Sequence, residues 1–146
     1  MSVSGKLSGK AMLSILNKEV DWNSDSIKVA LCTSSYTPDQ DAHDYYNDLT
    51  NELTTTGGYT AGGAVIGTCT AAYDAGTNIM KLDGADVTWT TATITCRYAV
   101  IYDDTPATAA TKPLIGYIDF GADVGSIAGD FTIQWHADGI FTFTVA

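Results

Sequence analysis

Charged side chains are scarce in this chain, and positive ones are the scarcest. Only 16% of the 146 residues are charged, and seven Lys plus Arg stand against seventeen Asp plus Glu, which gives a net charge of −10. Affinity for nucleic acid comes mainly from Lys and Arg on phosphates. We therefore expect no nucleic-acid partner, and an anionic membrane surface would repel the chain.

Cysteine and histidine are also few. Cys32, Cys69 and Cys96 are odd in number, far apart and set in strand-like runs, which predicts buried free thiols rather than a disulfide or a metal site. One of the two histidines, His43, lies in Asp41-Ala-His-Asp44, where the alternatives are a solvated helix start with capping acids and a Ca²⁺ or Zn²⁺ site. The EF-hand pattern, a P-loop and a Gly-x-Ser-x-Gly elbow are all missing. We expect no cofactor and no enzymatic activity.

Long apolar runs are missing as well. Residues 11–16 are apolar but too short for a membrane span, and no small-residue cleavage site follows them, so we expect a protein made in the cytoplasm with no membrane partner. Residues 1–10 are polar, with two glycines, and predict a flexible N-terminal arm. Residues 7–20 follow with a helical apolar stripe of Met12, Ile15, Leu16 and Val20.

The remainder of the chain is rich in the residues that favour strands. Runs of Val, Ile, Thr and Tyr recur every 8–15 residues with turn signals between them, which predicts a mainly β protein, an antiparallel β-sandwich or barrel of about seven or eight strands, with one or two short helices near the N-terminus. Residues 11–146 form a single predicted domain. The predicted strands include 26–33, 64–73, 79–83, 85–104, 114–120, 131–136 and 140–145, with a polar turn at 121–130 and a hairpin at Asp138-Gly139.

The strand within 85–104 is predicted to be central. From Ile94 to Tyr102 alternate residues are apolar, and Ala99 and Ile101 make the opposite face apolar too. A strand covered on both faces lies inside a sheet. Arg97, the only arginine, is expected to pair with a carboxylate on a neighbouring strand or subunit.

Residues 36–63 interrupt the strand pattern as a loop and helix insertion. Thr37-Pro38 has the form of a helix start, which predicts a helix over 38–46, and the polar run 47–52 is either a loop or an edge strand. Two Gly-Gly pairs surround Tyr59. Tyrosines beside Asp, Asn and Thr suit an interface, while packing of the insertion onto its own sheet is the alternative. The candidate interface residues are Lys6, Leu7, Lys10, Tyr36, Tyr45, Tyr46, Tyr59 and Arg97.

Five stretches of the chain resemble a family of small virion structural proteins of tailed bacteriophages. They are Asp21-Trp22, IKVALCTSSYTPDQDAHDYY at 27–46, GYTAGG at 58–63, RYAVIYDD at 97–104 and LIGYIDFG at 114–121. The resemblance spans about residues 7–146. No catalytic residue carries over with it.

The resemblance implies a non-enzymatic particle component. The favoured role is a head decoration, or cement, protein that binds the major capsid protein on the outside of the shell, commonly as a homotrimer, after assembly in the bacterial cytoplasm. The alternative is a tail, neck or fibre component that binds a host surface receptor or glycan. A cement protein on repeated sites gains strength from multivalency even when each contact is weak.

Overall fold

The computed structural model describes residues 2–145, so Met1 of the predicted arm and Ala146 of the predicted domain lie outside the described residues. The chain is mainly β, with one short helix near the N-terminus, α1, Ala11–Leu16. This confirms the predicted class. The nine strands are β1 Ser2–Val3, β2 Lys6–Leu7, β3 Ile27–Cys32, β4 Ala64–Val65, β5 Thr70–Asp74, β6 Ile79–Asp83, β7 Val87–Asp103, β8 Leu114–Trp135 and β9 Phe141–Thr144.

Two sheets organise the strands. The larger has the order β1-β8-β7-β3-β4, with β2 also on β8, and the smaller has the order β5-β6-β9. All pairs are antiparallel except β1 with β8. β7 lies between β8 and β3, which confirms the prediction of a central strand. Its C-terminal residues, Ala99 to Asp103, are all buried.

The inward face of β7 changes along the strand. Ile94 and Cys96 belong to the main apolar core, and so do Ala99 and Ile101, which have the opposite parity. A bulge between Cys96 and Tyr98 produces this change, because an irregularity in the ladder shifts side chains to the other face. Val100 and Tyr102 then enter a second core beneath residues 36–63. The prediction that both faces of this strand are covered toward its end is therefore confirmed.

The predicted polar turn at 121–130 is strand in the structure. β8 runs unbroken from Leu114 to Trp135 and pairs with β7 along its length, with bulges. The glycines of this stretch suggest a turn by composition, but one of them is required by close packing. A Cβ on Gly125 would lie 1.8 Å from the carbonyl oxygen of Ile94. Close approach of two backbones thus accounts for a glycine inside this strand.

The first residues are held against β8. Ser2 and Val3 pair in parallel with Gln134 and Trp135, while Lys6 and Leu7 pair with Tyr117 and Gly116. Val3 and Lys6 can be at most about 10 Å apart, whereas a straight strand would separate Tyr117 from Trp135 by about 60 Å. β8 must therefore curl back on itself. Residues 2–10, predicted as a free arm, close the gap between its two ends.

The insertion contains no α-helix at 38–46. The side chain of Asp39 accepts hydrogen bonds from the backbone amides of Asp41 and Ala42, and that of Asp48 accepts from Asp44 and Tyr45. Such local side-chain bonds compete with helical ones. What remains is a 3₁₀ turn, Tyr46–Asp48. Residues 47–52 contribute one isolated bridge, Glu52 with Cys32, rather than an edge strand.

Three connections carry the chain between the sheets, from β4 to β5, from β6 to β7 and from β8 to β9. The predicted strand 64–73 divides into β4 and β5, with Thr68 at φ 50° between them. Beyond Asp138-Gly139, β9 pairs with β6 instead of folding back on β8. The predicted hairpin is therefore wrong, because the turn passes the chain to the smaller sheet.

The helix α1 is shorter than predicted, and only part of the predicted apolar stripe faces the core, with Val20 buried and Ile15 half-buried. It ends at Leu16, and Lys18 follows with φ 62°. Ala11 and Ser14 face inward, 1% and 7% exposed. Leu16, predicted to face the core, is 75% exposed. The interior at this point accepts only small side chains from α1 and the half-buried Ile15.

Candidate interaction surfaces

Glu52 is the centre of the contacts that hold the insertion together beside the large sheet. Its carboxylate accepts hydrogen bonds from the Tyr46 hydroxyl, the Tyr59 hydroxyl at 2.7 Å and the Gly62 amide at 2.6 Å. The Tyr59 hydroxyl also accepts from the Leu31 amide of β3 at 3.0 Å. The charge of Glu52 is thus met by three neutral donors.

Buried hydroxyls around Glu52 are held in their neutral form. Burial is the main cause that raises the pKa of Tyr59 and of Tyr46 above the usual range, and the neighbouring carboxylate adds to it. Tyr59 is 2% exposed. Next to it, Gly63 has φ 72°, and a Cβ there would lie 1.9 Å from the carbonyl oxygen of Val29. The GYTAGG motif is therefore a packing element.

Tyr36 is likewise internal. It is 3% exposed, its hydroxyl lies 3.1 Å from Nδ1 of His43, and the two rings stack with centroids 5.8 Å apart. Its ring edge meets Tyr98 of β7. Tyr45 is half-buried, with its hydroxyl 3.5 Å from Oε2 of Glu19. Of the four tyrosines predicted for an interface, Tyr36 and Tyr59 pack the insertion onto its own sheet, which was the alternative.

The strapped N-terminal segment, residues 2–10, pairs with both ends of β8 and carries Lys6, Leu7 and Lys10. The Lys6 ammonium is 5.9 Å from the centroid of the Tyr117 ring. Leu7 is half-buried against the main core, and its carbonyl accepts from the Gln40 side chain at 2.8 Å. Lys10 pairs with Asp44 at 3.0 Å. The Leu7 carbonyl and the Lys10 ammonium fasten the segment to the insertion, and Lys6 keeps its exposure.

Arg97 forms the pair that was expected of it, within the chain. Its Nε lies 2.6 Å from Oδ1 of Asp119 on β8, and Nη2 lies 3.3 Å from Oδ2. This contact lowers the pKa of Asp119. Both side chains are partly exposed, so solvent screens the pair and its contribution to stability is small.

The thiols are unsuited to nucleophilic chemistry. All three cysteines are free, and burial raises the pKa of Cys69 to about 11 and that of Cys96 to about 12. Among residues 2–145, no three His, Cys, Asp or Glu side chains gather as ligands for a metal ion. Asp44 is engaged by Lys10, and His43 by Tyr36.

An apolar surface that the sequence patterns do not indicate lies on the outside of α1. Met12, Leu13 and Leu16 are 37%, 58% and 75% exposed. They are three of seven large apolar side chains that are exposed within the described part of the chain. Large apolar groups outward and small groups inward reverse the usual arrangement of a surface helix. Contiguous apolar surface of this kind marks contact sites.

Beside α1 lies an apolar cavity of about 210 Å³, here named the α1 groove. Its walls are Ile15, Val20 and Trp22 on one side and Ala71, Leu82 and Phe143 of the small sheet on the other. The Trp22 ring is held by a 3.0 Å hydrogen bond from Nε1 to the Asp83 carbonyl. The groove is therefore a preformed hollow with a fixed aromatic wall.

The apolar face of the small sheet continues past the groove. Tyr73 pairs with Met80 in register, and Met80 with Phe143, so these three share the face that also carries Leu82. Met80 and Phe143 are only half-buried, and Tyr73 and Val145 are 49% and 50% exposed. One signal in the sequence could have indicated the exposed apolar face of α1. Leu13 does not fit the inward stripe, so α1 has too many large apolar residues for one face.

Comparisons of the chain with models of protein families, with curated proteins and with solved structures found no match. No helix within residues 2–145 has the length and apolar character needed to cross a membrane. The stretches that were expected to resemble virion proteins are largely those that build the fold. Tyr59 and Gly63 anchor the insertion, and residues 97–104 lie in or next to β7.

Proposed function

We propose that this chain is a non-enzymatic structural component of a tailed-bacteriophage virion, a decoration protein that binds the major capsid protein on the outside of the head. The supporting observation is the outward apolar face of α1 beside an apolar groove. The tyrosines, Arg97 and most of the lysines are occupied by contacts within the chain. The exposed apolar side chains of α1, next to the apolar groove, offer a surface to a protein partner.

A homotrimer on the shell is part of this proposal. Binding at repeated sites lets several weak contacts act together, so a small surface per chain suffices. The curled β7–β8 ribbon and the strapped N-terminal segment give a rigid body for such contacts. Static light scattering of the purified protein should give three times the mass of one chain.

Cosedimentation with shells assembled from the major capsid protein tests the proposal. The wild-type chain should saturate the shells, and Leu16→Asp should weaken binding at least tenfold, because it places a charge on the apolar face of α1. Val65→Asp, at a side chain 55% exposed on β4, is the matched control. Shells that fail to retain the wild-type protein would refute the decoration role.

A place on the tail, with binding to a host glycan, is the second candidate. One observation favours it. The outer face of the small sheet carries a hollow of about 380 Å³ lined by Asp74, Lys81, Asp138 and Thr142 together with Ile79. Carboxylates, an ammonium and a hydroxyl around an apolar floor suit sugar hydroxyls. Retention of the protein on bacterial surface glycans, lost in Asp138→Ala, would favour this reading.

A further inference from the structure

The α1 groove remains open in the folded chain. Ile15, Val20 and Trp22 are held by the main core on their inner side, yet a volume of about 210 Å³ stays open between them and the small sheet. This space is large enough for one branched or aromatic side chain. Apolar walls with few polar groups are typical of pockets for an anchoring side chain.

Charges next to the groove are mainly negative. Val20 lies in its wall, and the residues on either side of it, Glu19 and Asp21, are exposed carboxylates. Lys18 is the one cation beside them. A partner with positive charge beside its apolar anchor would be favoured here.

The same charges disfavour a second copy as the occupant. Each chain has a net charge of −10, so two identical acidic rims would face each other across a shared groove. Like charges brought together at an interface cost free energy and select against that partner. A basic partner meets no such penalty.

We infer that the α1 groove and the outer face of α1 form a docking site for a segment of a partner protein that presents one large apolar side chain flanked by Lys or Arg. The apolar side chain fills the hollow against Trp22. The neighbouring cations meet Glu19 and Asp21, while Leu13 and Leu16 cover the rest of the segment. The inference rests on the proposed function only for the identity of the partner, which would be the shell protein.

Two small probes with the same ring test the chemistry of the site. Tryptamine carries an ammonium and indole-3-acetate a carboxylate on one indole. In ¹⁵N correlation spectra, tryptamine should shift the amides of Val20, Trp22 and Ala71 with a Kd of about 1 mM, the affinity expected for a ligand of this size. It should bind about threefold more tightly than indole-3-acetate, and the difference should shrink in high salt.

A pair of variants on one strand localises the binding. Ala71→Leu fills the groove and should abolish the tryptamine shifts, whereas Ala72→Leu places the same side chain on the opposite face of β5 and should leave them unchanged. Both positions are exposed, so both variants should keep the wild-type melting temperature. Shifts spread over the surface, or persisting in Ala71→Leu, would overturn the site.

Two further results would overturn the inference. Tighter binding of indole-3-acetate would contradict the preference for a basic partner. An oligomer that Ala71→Leu converts to monomer would make a second copy the occupant. Shell binding is independent of these outcomes. If tryptamine binds in the groove but shells retain no protein, the proposed function fails and the docking site stands. If shells retain the protein but neither probe binds in the groove, the docking site fails and the proposed function stands.

Discussion

Among replacements of a polar side chain in the insertion, Glu52→Ala is expected to lower the free energy of unfolding most. Glu52 accepts from the hydroxyls of Tyr46 and Tyr59 and from the amide of Gly62. Alanine removes all three bonds together. The Tyr59 hydroxyl keeps only the Leu31 amide as a partner, and it lies in a residue that is 2% exposed. The insertion then loses the contacts that hold Tyr46, Tyr59 and Gly62 together, while the Leu31 amide of β3 still donates to the Tyr59 hydroxyl.

The size of the effect follows from these contacts. A hydrogen bond to a charged group contributes about 1.5–3 kcal/mol. Glu52 is half-buried, so water replaces part of the loss, and we expect the free energy of unfolding to fall by about 4 kcal/mol. For a domain of this size each 1 kcal/mol moves the melting temperature by about 3 °C. The melting temperature should therefore fall by about 12 °C.

Glu52→Gln is the control that separates the bonds from the charge. Its oxygen can still accept from Tyr59 and Gly62, and its amide can donate to the Tyr46 hydroxyl, which is able to accept. A loss of about 1 kcal/mol is expected. Urea unfolding of both variants measures the difference. A Glu52→Ala protein within about 1 kcal/mol of wild type, or equal losses in the two variants, would refute the role of Glu52 in holding the insertion together.

Three other outcomes follow from the buried groups. Val100→Asp should abolish cooperative unfolding, because Val100 is 2% exposed and a buried carboxylate without a partner is costly. The control Thr95→Asp, on the exposed face of β7, should remain folded. A native circular dichroism spectrum for Val100→Asp would show that Val100 does not lie in the second core. Burial raises the pKa of Asp103, and its Oδ2 has no hydrogen-bond partner within residues 2–145. The native state therefore loses stability as the pH rises above about 4, so Asp103→Asn should gain about 1 kcal/mol at pH 7 and nothing at pH 3; equal gains at both values would contradict this. Burial also raises the pKa of Tyr36, Tyr46, Tyr59 and Tyr102, so the stability that their neutral forms contribute is lost only as the pH rises above about 10. Absorbance at 295 nm should therefore show that at least these four of the eight tyrosines ionise only when the protein unfolds.

The strands that the sequence predicts well are those with a local signal. β3 and the C-terminal half of β7 carry β-branched and aromatic residues with period two, and both were found with bounds close to those observed. The stretch 121–130 has no such signal. Its glycines and aspartates read as a turn, and only the distant pairing with β7 makes it strand. A register set by a remote partner cannot be seen in a local pattern.

The candidate surfaces were harder to predict than the strands. Tyr36 and Tyr59 have the composition of an interface, but burial decides their role, and burial depends on the whole fold. Glu52 has no motif around it, since its three donors come from residues spread along the insertion. The outward face of α1 was missed because an apolar stripe is ordinarily assigned to the core.

The position of the protein in an intact particle tests the central proposal most directly. Cryo-electron microscopy of virions with this chain present and absent should show difference density on the outer surface of the head, repeated at equivalent sites between capsid subunits. α1 should face the shell in that density. Density confined to the tail or neck, or particles that are identical with and without the chain, would contradict the account.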